Sequence, residues 1–185
     1  MTRIAIIVGS VRPGRYSRRV ADWVYETAAR RDDAEFEIVD LADHPLPHLD
    51  EPVAASAGQY ANEHTRAWSW VIDGFDGYVF VTPEYNHSTT GVLKNAIDYL
   101  YAEWNNKAAG FVGYGVVGAA RAVEHLRLIA AELQLATVRS QVALSFYTDF
   151  ENFTALTPSR PQIDALTSTL DQVVAWSDAL AKLRT

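Results

Sequence analysis

The residues best suited to chemistry near the start of the chain are Gly9-Ser10-Val11-Arg12-Pro13-Gly14-Arg15-Tyr16-Ser17. Gly9 and Gly14 have the G-x-x-x-x-G spacing that opens a triphosphate-binding loop, but Arg15 and Tyr16 stand where Lys and Ser/Thr are required. Without that lysine and the magnesium-binding hydroxyl, triphosphate cleavage has no machinery here. What remains suits an anion. Ser10 offers a hydroxyl, the glycines let N–H groups converge, and Arg12 can make a forked contact. Ser17 is expected to N-cap a helix whose positive end adds to the attraction. No acid lies in the loop to hold a metal, so a terminal phosphate monoester fits better than a triphosphate. The bland alternative is a polar turn whose arginines reach into water.

A second stretch, Thr82-Pro83-Glu84-Tyr85-Asn86-His87-Ser88-Thr89-Thr90-Gly91, follows another apolar run. Pro83 removes a donor and stiffens the turn, so the amides after it are presented in fixed directions. A flat ring needs edge hydrogen bonds and a surface to lie on, which Tyr85, Asn86 and the backbone can supply. Equally, the stretch can simply start a helix, with Ser88 to Thr90 as its cap.

Other motifs carry less. Gly113 to Gly118 reads G-x-G-x-x-G, but no acid stands about twenty residues on, and the motif follows the fourth strand instead of the first. It is expected to line the same pocket without being a dinucleotide fingerprint. His44 and His48 are close together but lack a third ligand of matching kind, so no metal is expected. No G-x-S-x-G occurs, which leaves a serine hydrolase unsupported.

The elements that must position these loops are legible in the patterning. Ile4–Val8, Phe36–Leu41, Tyr78–Thr82, Ala109–Gly115 and Ala136–Leu144 read as strands, the first of them wholly apolar and so buried on both faces. Helices are expected from Ser17 through the stripe Val20, Ala21, Val24, Tyr25 and Ala28, then over 59–72, around Leu93–Leu100, over 119–133, and from about Pro158 through Ile163, Leu166, Leu170, Val173 and Leu180. Residues 42–58, with Pro45, Pro47 and Pro52, read as a surface loop, and 145–157 as an irregular aromatic tail. Strand and helix alternate, so the expected fold is α/β: a doubly wound, five-stranded parallel sheet in the order 2-1-3-4-5 with helices on both faces. Ligands of such sheets bind beyond the carboxyl ends of strands one and three, where the two unusual loops lie.

Bulk properties narrow the function classes. With 185 residues, 49% hydrophobic and 21% charged, the chain reads as a single domain over 1–185 with a substantial core. Its net charge of −7 gives no reason to expect nucleic acid or an anionic membrane as partner, which makes the cluster Arg12, Arg15, Arg18 and Arg19 the more notable. The absence of cysteine excludes disulfides, thiol nucleophiles and Cys-ligated metal, so redox chemistry would need a bound cofactor. The start, Met1-Thr2-Arg3 and a short apolar run, lacks a signal or spanning segment, so a cytoplasmic protein is expected.

On the stretches GSVRPGR, PEYNHSTTGVLKNAIDYLYAEWNNK and GYGVVGAARA, the chain resembles the NAD(P)H-dependent FMN reductase family of flavodoxin-like quinone, azo-dye and flavin reductases. The middle stretch is the most specific. The resemblance implies an enzyme that binds FMN and takes NADPH or NADH as co-substrate. Ser10, Arg12 and Ser17, with Arg15 and Tyr16, would hold the FMN phosphate. Pro83, Glu84, Tyr85 and Asn86 would contact the isoalloxazine, largely through backbone, and Gly113 and Gly115 would approach it from a third loop. His87 and Val116 would shape the substrate slot. Arg15 stands where many relatives have serine, and relatives are richer in glycine around Val116 and Ala119. The resemblance also implies a homodimer or homotetramer, with Tyr99, Tyr101 and Trp104 as a contact surface or as core. Hydride would pass through flavin N5 to a small-molecule electron acceptor, so no catalytic side chain is obligatory. The rival reading is an FMN-binding electron carrier or sensor without turnover of small substrates.

Overall fold

The computed structural model describes residues 1–184. Five strands form one parallel sheet: β1 (Thr2–Val8), β2 (Ala34–Asp40), β3 (Gly77–Pro83), β4 (Ala108–Gly115) and β5 (Ala136–Ser145), in the order β2-β1-β3-β4-β5. The helices are α1 (Ser17–Ala28), α2 (Glu63–Asp73), α3 (Gly91–Asp98), α4 (Ala120–Glu132) and α5 (Arg160–Leu180). The expected doubly wound order is the observed one. Alternation along the buried strands sorts the core into two layers. Ile4, Ile6, Val8, Val79 and Val81 pack with Val20 and Val24 of α1 and Leu166, Leu170 and Val173 of α5. On the other face Ala5, Ile7, Tyr78, Phe80 and Phe111 pack with Trp68 of α2, Leu93 and Ile97 of α3, and Leu126 of α4. Among the described residues, no helix is long and apolar enough to cross a membrane.

Several local expectations need correction. Ser17 does not cap α1: it is the first helical residue, Tyr16 precedes it in a helical conformation, and no side chain caps this end. A serine caps from extended backbone, which Ser17 lacks. Helix α2 begins at Glu63, later than the expected 59, because the Glu51 carboxylate takes the Ala61 and Asn62 amides at 2.8 and 3.0 Å and holds them in a loop. The aromatic tail is less irregular than expected. It folds into the short hairpin β6 (Phe150–Glu151) and β7 (Ala155–Leu156). Buried Asp149 organises it by accepting from the Ser145 and Ser159 amides, each at 2.9 Å. Tyr25 and Ile163 sit at the exposed edges of their helices.

Tyr99 and Trp104 are buried in this chain's own core, so they do not form a surface for a second subunit. Trp104 donates its indole N–H to Ile97 O at 3.2 Å, and Tyr99 donates its hydroxyl to Asp50 at 2.9 Å. Tyr101 is half-buried against the same cluster. His44 lies beside Trp68, with ring centroids 5.3 Å apart. At the opposite end of the sheet from the carboxyl termini of the strands, Lys107 is buried with its ammonium 3.1 Å from the Tyr78 hydroxyl. Burial pushes its pKa down to about 8.

Candidate functional site

The carboxyl ends of β1, β3 and β4 open into a cleft of about 660 Å³, within the range of small-molecule sites. Its walls come from 12–16 after β1, from 83–87 after β3, and from 114–117 after β4, with Arg121 of α4 and Phe146 after β5 at its edges. Pro83, Glu84, Tyr85, Asn86, His87, Gly115, Val116, Arg12, Arg15 and Tyr16 all line it. Ser10, Ser17 and Gly113 are not among its lining residues.

The first loop is prepared for an anion. Helix α1 has no acidic residue in its first turn and carries Arg18 and Arg19 there. Cations at a helix N-terminus are unfavourable by themselves, so this end suits an external negative charge. Its first described helical bond runs from Val20 N to Tyr16 O at 3.0 Å, which leaves the earlier amides free of helix partners. Buried Ser17 Oγ and Arg15 Nε have no hydrogen-bond partner among the described residues, although Ser17 faces the Tyr114 hydroxyl. Gly14 turns with φ +73°, where a side chain would be strained. Convergent donors, two of them buried and unsatisfied, fit a phosphate monoester.

The clustered arginines divide by partner. Arg15 donates to the buried Asp40 carboxylate at 2.6 Å, and Arg18 donates to Asp22 at 2.9 Å and lies 3.7 Å from Asp40. Arg19 donates to Thr154 O at 3.1 Å in the hairpin loop. Arg12 alone of the four has no side-chain partner among the described residues. Ser10, assigned to the phosphate from sequence, is buried beneath the loop, with Oγ 3.1 Å from the Tyr85 hydroxyl and 3.4 Å from the Arg12 amide. Tyr16 packs edge-on against Phe146 and Phe150, centroids 5.6 Å away in each case, and donates its hydroxyl to Phe153 O. The aromatic segment therefore buttresses the first loop. Tyr114 forms part of the same wall, and burial raises its hydroxyl to about 12.

The second loop is a tight reversal. Tyr85 N donates to Ser88 O at 2.9 Å, and Ser88 N returns to Tyr85 O at 3.1 Å. Between them Asn86 and His87 have φ +50° and +68°, the type I′ pattern. Among the described residues, the Asn86 and His87 amides find no backbone partner, so they remain available at the cleft. Thr90 caps α3 through Leu93 N at 3.1 Å, so the loop both starts a helix and walls the cleft. Asn and His are among the non-glycine residues that most often occupy the left-handed region, at a modest residual strain. We expect His87→Gly to be close to neutral, within about 1 kcal/mol and roughly 4 °C in Tm, because relief of that strain is offset by the entropic cost of glycine and by loss of the Arg121 contact. Calorimetry checks this, and a clear rise in Tm would mean that strain at His87 outweighs the Arg121 contact.

Glu84, expected to act largely through its backbone, also has a side-chain role. Its backbone lines the cleft, but its carboxylate turns to α4, accepting from Arg121 Nε at 2.6 Å and from Arg121 N at 3.1 Å. Burial raises its pKa, but the Arg121 side chain and the Ala122 and Arg121 amides outweigh this and hold it below the usual carboxylate range. It stays ionised at neutral pH and donates no proton. Arg121 Nη1 also lies 3.1 Å from His87 Nε2. Arginine only donates, so in this contact Nε2 is the acceptor. Arg121 went unnoticed in the sequence, although a cation in the first turn of a helix with no capping side chain was a signal.

Gly113 also has a different role from the one assigned. It lies inside β4, and a Cβ there would stand 2.3 Å from Gly118 O. The glycine pair brings the following turn close to the strand, while Gly115 (φ +150°) and Val116, 58% exposed, form the cleft wall.

A doubly wound α/β domain with an anion-receptive first loop and a ring-sized slot at the switch point belongs to the mononucleotide-binding class. The family model for NADPH-dependent FMN reductase matches residues 2–149, and the chain belongs to that family. Among curated relatives, it is 41% identical over 149 residues to an NAD(P)H-dependent FMN reductase of Schizosaccharomyces pombe, covering 80% of this chain and 74% of the relative. It is 34% identical to a 2-hydroxy-1,4-benzoquinone reductase of Burkholderia sp, covering 72% of each. Among solved structures, a flavoenzyme NAD(P)H:(acceptor) oxidoreductase from Paracoccus denitrificans shares the fold with a TM-score of 0.73 at 24% identity, covering 97% of this chain and 98% of that one.

Proposed function

We propose that this chain, acting as one domain, binds FMN in the cleft and reduces small acceptors such as quinones or azo compounds with NADPH or NADH. The phosphate would lie on the first loop against Arg12 and the first-turn amides of α1, with the buried Ser17 hydroxyl beneath. The ring edge would meet the free amides of the Asn86–His87 turn, with Gly115 and Val116 as the facing wall. Bound there, the flavin supplies hydride chemistry through its N5 atom. The chain's own contributions are position and exclusion of water. Glu84 is ionised and paired, so it is assigned no proton transfer.

The observation that carries this reading is the division of cations in the cleft. Arg15 is neutralised by Asp40 and Arg121 by Glu84, which leaves Arg12 to meet a phosphate. Self-association as a homodimer or homotetramer accompanies the reading. Exposed Trp70 on α2 and Leu128 on α4 supply apolar surface on one face, and sedimentation would measure it.

The test is the visible spectrum of the purified protein with FMN, followed by addition of NADPH or NADH and a quinone. The expected result is a bound flavin spectrum that bleaches with nucleotide and returns with quinone. A flavin-loaded protein inert to both nucleotides would instead favour an electron carrier, and no flavin binding would reject the site.

A further inference from the structure

Three contacts stitch the cleft loop after β3 to the start of α4. Glu84 meets Arg121, His87 meets the same guanidinium at 3.1 Å, and Ser88 Oγ lies 2.9 Å from His125 Nδ1. The first is the best built. The Glu84 side chain is only 8% exposed, and its carboxylate receives both the backbone amide and the guanidinium of Arg121. Helix α4 needs such a partner. Its N-cap, Ala119, is left-handed and brings no capping side chain, and its first turn has no acid of its own. A carboxylate from a different loop thus does the work of an N-cap and of the missing first-turn acid.

The adjacent turn needs an external hold. Asn86 and His87 both occupy the left-handed region without being glycine, a conformation that persists only where surrounding contacts over-determine it. Glu84 lies two residues before this pair, and Arg121 touches both Glu84 and His87. The geometry points to Glu84 and Arg121 as a positioning pair that caps α4 across the loops and locks the Asn86–His87 turn, fixing the amides that meet the edge of a flat ring. This rests on the proposed flavin reading and deepens it. The pair does not touch the ring with its charged groups. It acts through backbone placement, so its loss should weaken ring binding without regard to the phosphate.

The experiment titrates the whole protein with FMN and with riboflavin, for Glu84→Ala, Arg121→Ala and the double variant. Each single variant is expected to weaken both ligands about tenfold, and the double variant by little more than either single, because one interaction is being removed twice. The ratio of FMN to riboflavin affinity should stay at the wild-type value. A fall in that ratio for Arg121→Ala would make Arg121 a phosphate ligand and overturn the assignment, as would affinities unchanged in both singles. Hydrogen exchange in the ligand-free protein provides a second readout. The Tyr85 and Ser88 amides, which close the turn, should lose protection in both variants, and unchanged protection would also overturn the pairing. Should the alanine variants fail to fold, Glu84→Gln and Arg121→Lys keep partial contacts and are expected to give smaller losses of protection in the same amides. If the wild-type protein binds neither flavin, the reading of the cleft fails, and exchange still decides whether the pair holds the turn.

Discussion

Arg12→Ala is expected to weaken FMN by one to two decades while leaving riboflavin affinity unchanged. A hydrogen bond to a charged group contributes about 1.5–3 kcal/mol, and each 1.4 kcal/mol is tenfold in affinity. The neighbouring arginines cannot replace it at low cost. Arg15 would have to leave a carboxylate whose side chain is 4% exposed, and Arg18 shares that carboxylate at 3.7 Å. Breaking a buried pair costs several kcal/mol, more than a rescued phosphate contact returns. For the same reason Arg15→Ala is not an equivalent control: it would remove the closest partner of the buried Asp40 carboxylate, leaving it the Ala42 amide and the more distant Arg18, and destabilise the fold. The loss at Arg12 should shrink in high salt, since the arginine is exposed and its attraction is screened. Isothermal titration with the two flavins measures this. Equal losses for FMN and riboflavin would place Arg12 at the ring, and no loss for either would leave it as surface.

The arrangement was legible in the sequence to different depths. An apolar run ending on glycine or proline marks a strand's carboxyl end, so both cleft loops could be located from Val8-Gly9 and Thr82-Pro83 alone. Strand order followed from alternation and right-handed crossovers, because those rules depend on chain direction and not on side-chain partners. Partners were the limit. Arg12 and Arg15 look alike in a loop, and what separates them is Asp40, which arrives from the end of β2. Glu84 was expected to act largely through its backbone, and nothing nearby in the sequence shows that its carboxylate is claimed by Arg121, 37 residues on. Tyr99 and Trp104 stand at an aromatic helix end, which the sequence left open between a subunit contact and core packing. Their hydroxyl and indole N–H are satisfied within the chain, which lets them be buried.

The largest stability loss is expected at Gly113, where the sequence suggested a ring contact. A Cβ at this position would lie 2.3 Å from Gly118 O, 3.0 Å from the Ala119 Cβ and 3.2 Å from Gly118 C. Two of these are backbone atoms, which cannot turn aside as a flexible side chain would. Gly118 cannot move back, since it stands against Ala143 of β5, with a Cβ at Gly118 itself 2.8 Å from Ala143 C. Strand, turn and neighbouring strand are thus packed backbone to backbone in three layers. Gly113→Ala is expected to cost roughly 3 kcal/mol or more, the upper end for overpacking, and to lower Tm by about 6–12 °C. Gly91→Ala serves as the contrast, because its added Cβ meets nothing within 4 Å at the start of α3. That change should be neutral or slightly stabilising. Gly113→Ala should also weaken FMN and riboflavin alike, because relieving the clash displaces the turn that carries Gly115 and Val116 along the cleft. A Gly113→Ala protein with wild-type Tm and flavin affinity would mean that the turn has room to retreat, and that the close approach of Gly113 and Gly118 is not what holds the third wall in place.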